Sequence, residues 1–108
     1  MANTITQLAA PAALTNTLTT TLYTVPASTK TIVKEIILCN TDTVARTVTI
    51  YFGGGSAAGN TILSAYSLAA GQTIFLTLST VLVAANTIKG GASAASVVSC
   101  TISGIEVA

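Results

Sequence analysis

Short alternating segments rich in Thr, Val, Ile, Tyr and Phe recur along this chain, and turn residues interrupt them about every 8 to 12 residues. This spacing is typical of antiparallel sandwiches and barrels, because β-branched and aromatic side chains pack well on a pleated surface. No segment shows a convincing helical stripe, and 108 residues suit one domain. We therefore predict an all-β fold, an antiparallel β-sandwich of jelly-roll-like type.

The strands are predicted at residues 18–25, 31–39, 45–52, 61–68, 73–78, 87–89 and 95–107. Pro26 ends the first strand, because proline cannot donate to a sheet ladder. Residues 31–39 are apolar at both odd and even positions, so this strand is expected to be central or to have a partner outside it. A bulge is expected at Gly104, and the glycine-rich residues 53–60 are expected to form a mobile loop.

The first residues of the chain carry a weaker pattern. Residues 1–17 lack strong alternation and include Pro11, so we predict an extended N-terminal arm before a single sandwich domain at residues 18–108. The arm is either a disordered tail or a segment laid along a neighbouring subunit. Its apolar stretch at residues 8–14 is not interpreted as a secretory signal, because no basic residue precedes Lys30.

Charged side chains are scarce, with four basic and three acidic residues and no histidine. The net charge of +1 gives no electrostatic reason to bind nucleic acid or an anionic membrane, and no apolar run reaches the roughly 18 residues that cross a bilayer. Acid–base catalysis needs titratable groups held together, whereas Glu35, Asp42 and Glu106 fit solvated strand and turn charges. We expect no catalytic residues, no cofactor and no metal site.

Two cysteines and two similar segments each allow more than one structural interpretation. Cys39 and Cys100 are either bridged, if their strands are neighbours, or two buried free thiols, and no CxxC pair suggests zinc. Residues 68–74 and 82–88 look alike, since each ends a strand and starts the next with Thr-Ile. We interpret this likeness as a repeated hairpin turn and not as a solenoid.

One phrase carries a family resemblance. Residues 22–34 read LYTVPASTKTIVK, residues 37–41 read ILCNT, and residues 68–73 read LAAGQT. Together they resemble small all-β virion proteins of tailed bacteriophages, including cyanophages, over about residues 22–107. The resemblance implies a β-sandwich cement or decoration protein that sits as a homotrimer on the outer capsid surface and contacts the major capsid protein.

The resemblance carries no active site, so the predicted contacts come from exposure arguments. Ile5 and Leu8 in the arm are expected to touch the shell or a neighbour, and Val33 and Ile37 are expected to form subunit contacts. A core position for Val33 and Ile37 is an equal alternative. The alternative function is a tail-fibre or tailspike-type module that recognises the host through loops such as residues 53–60.

Overall fold

The computed structural model describes residues 3–108, which fold into two packed antiparallel sheets and confirm the predicted all-β sandwich. The front sheet has the strand order β1-β8-β3-β6, and the back sheet has the order β2-β7-β4-β5. This is the layout of a jelly roll. The strands are β1 (Asn3–Ala13), β2 (Thr21–Thr24), β3 (Lys30–Asn40), β4 (Arg46–Gly53), β5 (Thr61–Leu68), β6 (Thr73–Leu82), β7 (Thr87–Ala92) and β8 (Val98–Val107).

The core lies between the sheets and is built from the inward half of each alternating strand. In β4 the side chains of Val48, Ile50 and Phe52 are buried, as period-2 alternation predicts. They pack with the inward aliphatic residues of β3, β7 and β8 in one cluster. The sole helical element within residues 3–108 is the 3-10 turn Ala58–Asn60, so no helix there is long enough to cross a membrane.

The segment predicted as an arm is corrected by the structure. Asn3–Ala13 forms β1, an edge strand that pairs with β8 from Asn3 opposite Val107 to Ala13 opposite Ser99. The pairing register shifts on both sides of Ala9, and these irregularities hide the alternation that marks a strand in sequence. An edge position also tolerates Pro11, since the strand has a free side. Met1 and Ala2 lie outside the described residues.

The long strand β3 changes face halfway along its length. Val33 pairs with Gly104 and Glu35 pairs with Ser103, which leaves Lys34 as an extra residue on β3. Val33 and Ile36 therefore both face the core, although one has an odd number and the other an even number. The bulge expected in β8 at Gly104 is in fact carried by the neighbouring strand.

Gly104 is the residue that lets β8 approach this bulge. A Cβ atom at position 104 would lie 2.2 Å from the carbonyl oxygen of Ile32, far inside van der Waals contact. Glycine has no Cβ, so the two backbones can come together here. The close approach holds the bulged strand at the centre of the front sheet.

The two similar turns share one hydrogen-bond pattern. In the first, Ala69 N–H donates to Gln72 Oε1 at 2.8 Å, and Gln72 N–H donates back to Ala69 O at 3.0 Å. In the second, Val83 and Asn86 exchange the same pair of bonds at 3.1 and 3.0 Å. The third position has positive φ in both turns, at +72° in Gly71 and +71° in Ala85. The predicted likeness is confirmed, with alanine in a conformation that favours glycine. The hairpin interpretation is wrong, because each turn carries the chain from one sheet to the other: β5 and β7 lie in the back sheet and β6 lies in the front sheet.

Asn40 joins the β3–β4 loop to the β5–β6 turn at one end of the sandwich and is fully buried. Its Nδ2 donates to the carbonyl oxygens of Val44, Leu68 and Ala69 at 2.9, 3.1 and 3.2 Å. Its Oδ1 accepts the backbone N–H of Asp42 at 3.0 Å. The amide thus replaces the water that these backbone groups lose on burial.

The cysteines are free, and the register explains why they do not meet. Cys100 pairs with Leu38, which faces the core, whereas Cys39 pairs with Ser99 on the outer side. Adjacent positions on a strand point to opposite faces, so the two thiols lie on opposite sides of the front sheet. Burial raises the pKa of the Cys100 thiol to about 12.

Candidate assembly surface

The four residues predicted as assembly contacts separate into two groups. Leu8 is 7% exposed and Val33 is 0% exposed, and both belong to the core between the sheets. Neither is available to a partner, so the contact prediction is corrected for these two and the core alternative applies to Val33. Ile5 is 88% exposed, and Ile37 is half-buried on the outer side of the front sheet.

The outer side of the front sheet, which we call the front face, carries a row of aliphatic side chains across all four strands. Ile5 on β1 pairs with Ile105 on β8, Ile105 pairs with Ile32 on β3, and Ile32 pairs with Val81 on β6. Directly paired residues lie side by side on one face of a sheet. This apolar row therefore crosses the full width of the front sheet, and Val81 at its end is 56% exposed.

A second apolar row lies further along the same face. Ile37 on β3 pairs with Phe75 on β6, whose ring is 58% exposed, and with Thr101 on β8. The inward neighbours of these residues, such as Ile36 and Leu38, are already packed in the core. Phe75 and Ile37 are thus surface side chains of β6 and β3 that the fold itself leaves uncovered.

Polar residues separate the two apolar rows. Gln7, Ser103, Glu35 and Thr77 are paired across the four strands, and the extra bulge residue Lys34 lies beside them. The Lys34 Nζ contacts Ser79 Oγ at 3.1 Å. The centre of the front face consequently holds one positive and one negative side chain next to each other, surrounded by hydroxyl groups.

Sequence reasoning found Ile5 and Ile37 but missed four members of the two rows. Ile32, Phe75, Val81 and Ile105 are the missed residues, and the signal for β6 was present in the alternation of residues 73–82. Ile32 was missed because the bulge at Lys34 places Ile32 on the same face as Ile37, although one has an even number and the other an odd number. Pairing across strands, which sequence does not give, brings these residues together.

Several titratable side chains outside the front face form hydrogen bonds and an ion pair that stabilise the fold. Tyr23 on β2 donates its hydroxyl to the Glu106 carboxylate and lies 2.8 Å from Thr31 Oγ1, so it links the back sheet to the front sheet. Burial first, and the hydrogen bond to Glu106 second, raise the pKa of Tyr23 to about 12. The Arg46 guanidinium, 2.7 Å from the Asp42 carboxylate, holds the pKa of Asp42 below its usual value.

The cavities offer little chemistry. One of about 450 Å³ is lined by Ser28, Thr29, Lys30, Val83, Ala84, Val107 and Ala108. Another of about 300 Å³ lies between β1 and β2, and its lining is mainly alanine and leucine with the thiol of Cys100. Across residues 3–108, no three Cys, Asp or Glu side chains converge as metal ligands.

The glycine-rich loop between β4 and β5 is held in place by one side chain. Asn60 Nδ2 donates to the Phe52 carbonyl at 2.9 Å, and Asn60 also packs against Gly53 and Gly55. Gly53 has φ of +107°, which glycine adopts readily. Residues 53–60 are predicted from sequence to form a mobile loop. The structure shows that the Asn60 side-chain amide anchors the end of this loop.

Comparison with known proteins places the fold. The sequence matches no protein-family model and no curated protein. A chain in the crystal structure of an infectious bursal disease virus particle superposes with a TM-score of 0.59 at 8% identity, covering 96% of this chain and 30% of that chain. A chain in the structure of the Gx strain of infectious bursal disease virus gives 0.54 at 15% identity, covering 97% and 31%.

These likenesses show a shared fold. The present chain spans about 30% of the length of the virus chains that it resembles, so the likeness concerns about a third of each virus chain.

Proposed function

We propose that this chain is a non-enzymatic structural protein of a virus particle, and specifically a cement or decoration protein on the outer capsid surface. The observation that carries the proposal is the front face, where one contiguous apolar row crosses all four strands and a second, of Ile37 and Phe75, lies further along two of them. Soluble domains rarely leave a contiguous apolar patch of this kind without a binding role. The jelly-roll fold shared with chains of a virus particle supports the same role.

The scarcity of charge suits a protein that is covered by other proteins. Interface cores are depleted in charged residues, because each buried charge must lose its water. Four basic and three acidic residues leave most of the surface to Thr, Ser, Asn, Gly and Ala. In the proposed role, the chain associates with copies of itself and contacts the major capsid protein, and it binds no nucleic acid, membrane or cofactor.

A cement protein strengthens a shell by burying surface where shell subunits meet. Each Å² of apolar surface removed from water contributes about 25 cal/mol, and repeated placement over the shell multiplies the gain. The exposed aliphatic and aromatic side chains of the front face, together with exposed residues such as Val44 and Val83 outside it, supply such surface.

The decisive experiment is the copy number of this chain relative to the major shell protein in purified particles, measured by quantitative mass spectrometry. A ratio near that of the shell protein is expected for a protein on the capsid lattice. A handful of copies per particle would move the chain to the tail and favour the host-recognition function. Complete absence from purified particles would refute a virion role.

A second measurement addresses cementing directly. Shells assembled without the chain are compared with shells to which the purified protein has been added back, and both are heated in a scanning calorimeter. The decorated shells are expected to disrupt at a higher temperature, because a ligand that binds the assembled state stabilises it. Binding without any increase would support attachment but refute cementing.

A further inference from the structure

We infer that the front face packs against a second copy of this chain, an inference that names the partner of the proposed assembly surface and rests on its structural role. The exposed residues that carry the contact are Ile5, Val81 and Phe75, with Ile32, Ile37 and Ile105 between them. Three properties of the front face point to this contact, namely its size, its composition and the charges at its centre.

The size of the front face matches what a stable contact requires. Four strands at about 4.8 Å spacing and ten residues at about 3.3 Å rise give a footprint of roughly 600 Å². Stable interfaces bury about 800 Å² of accessible surface on each partner, and protruding side chains present more accessible surface than a flat footprint. Packing of one front face on another therefore uses an area of the right magnitude.

The composition of the front face favours protein as the covering partner. The two apolar rows are joined by the hydroxyl side chains of Thr77, Thr101 and Ser103, which exchange hydrogen bonds without carrying charge. Sheets pack face to face with their side chains interdigitated about 10 Å apart, and rows of Ile, Val and Phe are suited to this contact. A polar, water-facing sheet would carry charged side chains in these rows.

The charges at the centre identify the partner as the same chain. Lys34 and Glu35 are adjacent in sequence and both lie on the front face. A partner of a single sign would repel one of them, whereas a second copy brings charges of both signs to the contact. The front face also carries Lys30, which lies on the same side as Ile32 at the start of β3, away from this central pair. A surface that contains both partners of an ion pair can be complementary to itself, which a two-fold contact between identical subunits requires.

The test is the mass of the purified protein in sedimentation equilibrium over a concentration series. The wild-type chain is expected at twice its mass of 10.8 kDa at micromolar concentration, because two front faces that pack on each other form a closed pair. Ile5→Asp and Val81→Asp each place a charge in the first apolar row, at positions 88% and 56% exposed, where the fold tolerates it. Each is expected to weaken association at least tenfold.

Ile62→Asp is the matched control. Ile62 lies on β5 at the edge of the back sheet and is 43% exposed, so the change in side chain is the same but the front face is untouched. The control is expected to associate like the wild type. Circular dichroism of all variants checks that each is folded, and the almost fully exposed Ile5 provides a variant that leaves the core intact.

Two results would overturn the inference. One is a wild-type protein that stays monomeric up to about 100 µM, well above the micromolar range of specific contacts, or that forms a trimer, which a two-fold contact between front faces cannot produce. The other is an oligomer that Ile62→Asp disrupts as strongly as the front-face variants do. The copy number of the chain in particles is measured independently of these two results. A protein that is monomeric in solution but is present in particles in numbers near those of the shell protein would refute the self-contact and leave the structural role intact.

Discussion

Asn40→Leu is the substitution that most directly tests how the two sheets are joined at one end. Leucine has the same number and branching of side-chain heavy atoms as asparagine, but it is bulkier and has no polar atoms. The change leaves the carbonyl oxygens of Val44, Leu68 and Ala69 without their donor and the N–H of Asp42 without its acceptor. The position is fully buried, so the new side chain cannot move into solvent.

The loss of stability caused by Asn40→Leu depends on how much water can reach each backbone group that loses its hydrogen bond. The Leu68 carbonyl is in a buried bond and costs about 1 to 3 kcal/mol when left unsatisfied. The other three bonds are partly buried, and each loses about 0.5 to 1.5 kcal/mol because water replaces the amide in part. The added apolar burial of leucine offsets some of this, which leaves a net loss of about 3 to 5 kcal/mol.

Urea unfolding followed by far-ultraviolet circular dichroism measures the effect. With a slope of about 1 to 3 kcal/mol per M, a loss of this size lowers the midpoint by at least about 1 M. Asn16→Leu is the control, because the Asn16 side chain is exposed in the loop before β2. A loss below about 1 kcal/mol for Asn40→Leu, or an equal loss for the control, would refute the reasoning.

Asn40→Asp sharpens the same test through its pH dependence. The new carboxylate would face three carbonyl oxygens at a buried position, so its pKa in the folded protein is expected to lie above its unfolded value. A raised folded pKa means that the neutral form is favoured by folding. The stability deficit relative to wild type should therefore shrink as the pH falls below that pKa and grow as the pH rises, and a deficit independent of pH would contradict this account.

Three other experiments test further features of the fold. Gly104→Ala is expected to lower the free energy of unfolding by at least about 3 kcal/mol in thermal melts, because the added Cβ meets a backbone oxygen, and a near-neutral result would contradict the close approach. Gly71→Ala should destabilise by about 1 kcal/mol and Ala85→Gly should stabilise by up to about 1 kcal/mol, since both turns need positive φ; changes of the same sign would refute their equivalence. Mass spectrometry after N-ethylmaleimide treatment should show Cys39 alkylated in the native protein and Cys100 only after unfolding, because burial raises the pKa of the Cys100 thiol to about 12, and equal rates would exclude its burial.

The sandwich could be predicted from sequence because its strands carry local signals. Residues 61–68 were predicted with the bounds that the structure shows for Thr61–Leu68, since a glycine-rich loop precedes them and an Ala-Gly turn follows. β6 was predicted too short at residues 73–78, because Ser79 and Thr80 interrupt its apolar pattern, although the turn at residues 82–88 marks its true end.

The candidate surface could be predicted only in part, because it depends on register. A single extra residue at Lys34 exchanges the faces of β3, so Val33 enters the core while Ile32 and Ile37 share the outer side. Counting odd and even positions through a bulge gives the wrong face for one half of the strand. β1 was not predicted as a strand for a related reason, since two register shifts interrupt its alternation of inward and outward side chains.

The position of β8 sets the order in which this fold can be made. β8 is residues 98–107, yet it lies inside the front sheet between β1 and β3. β1 has no hydrogen-bonded partner until the ribosome has released those residues, about 100 positions later in the chain. β4 and β5 alone form a sheet pair from neighbouring strands in sequence, so the front sheet must close late and by long-range pairing. β3 and β6 can pair before β8 is made, but β1 stays unpaired until then, so the front sheet is completed only after translation has passed β8.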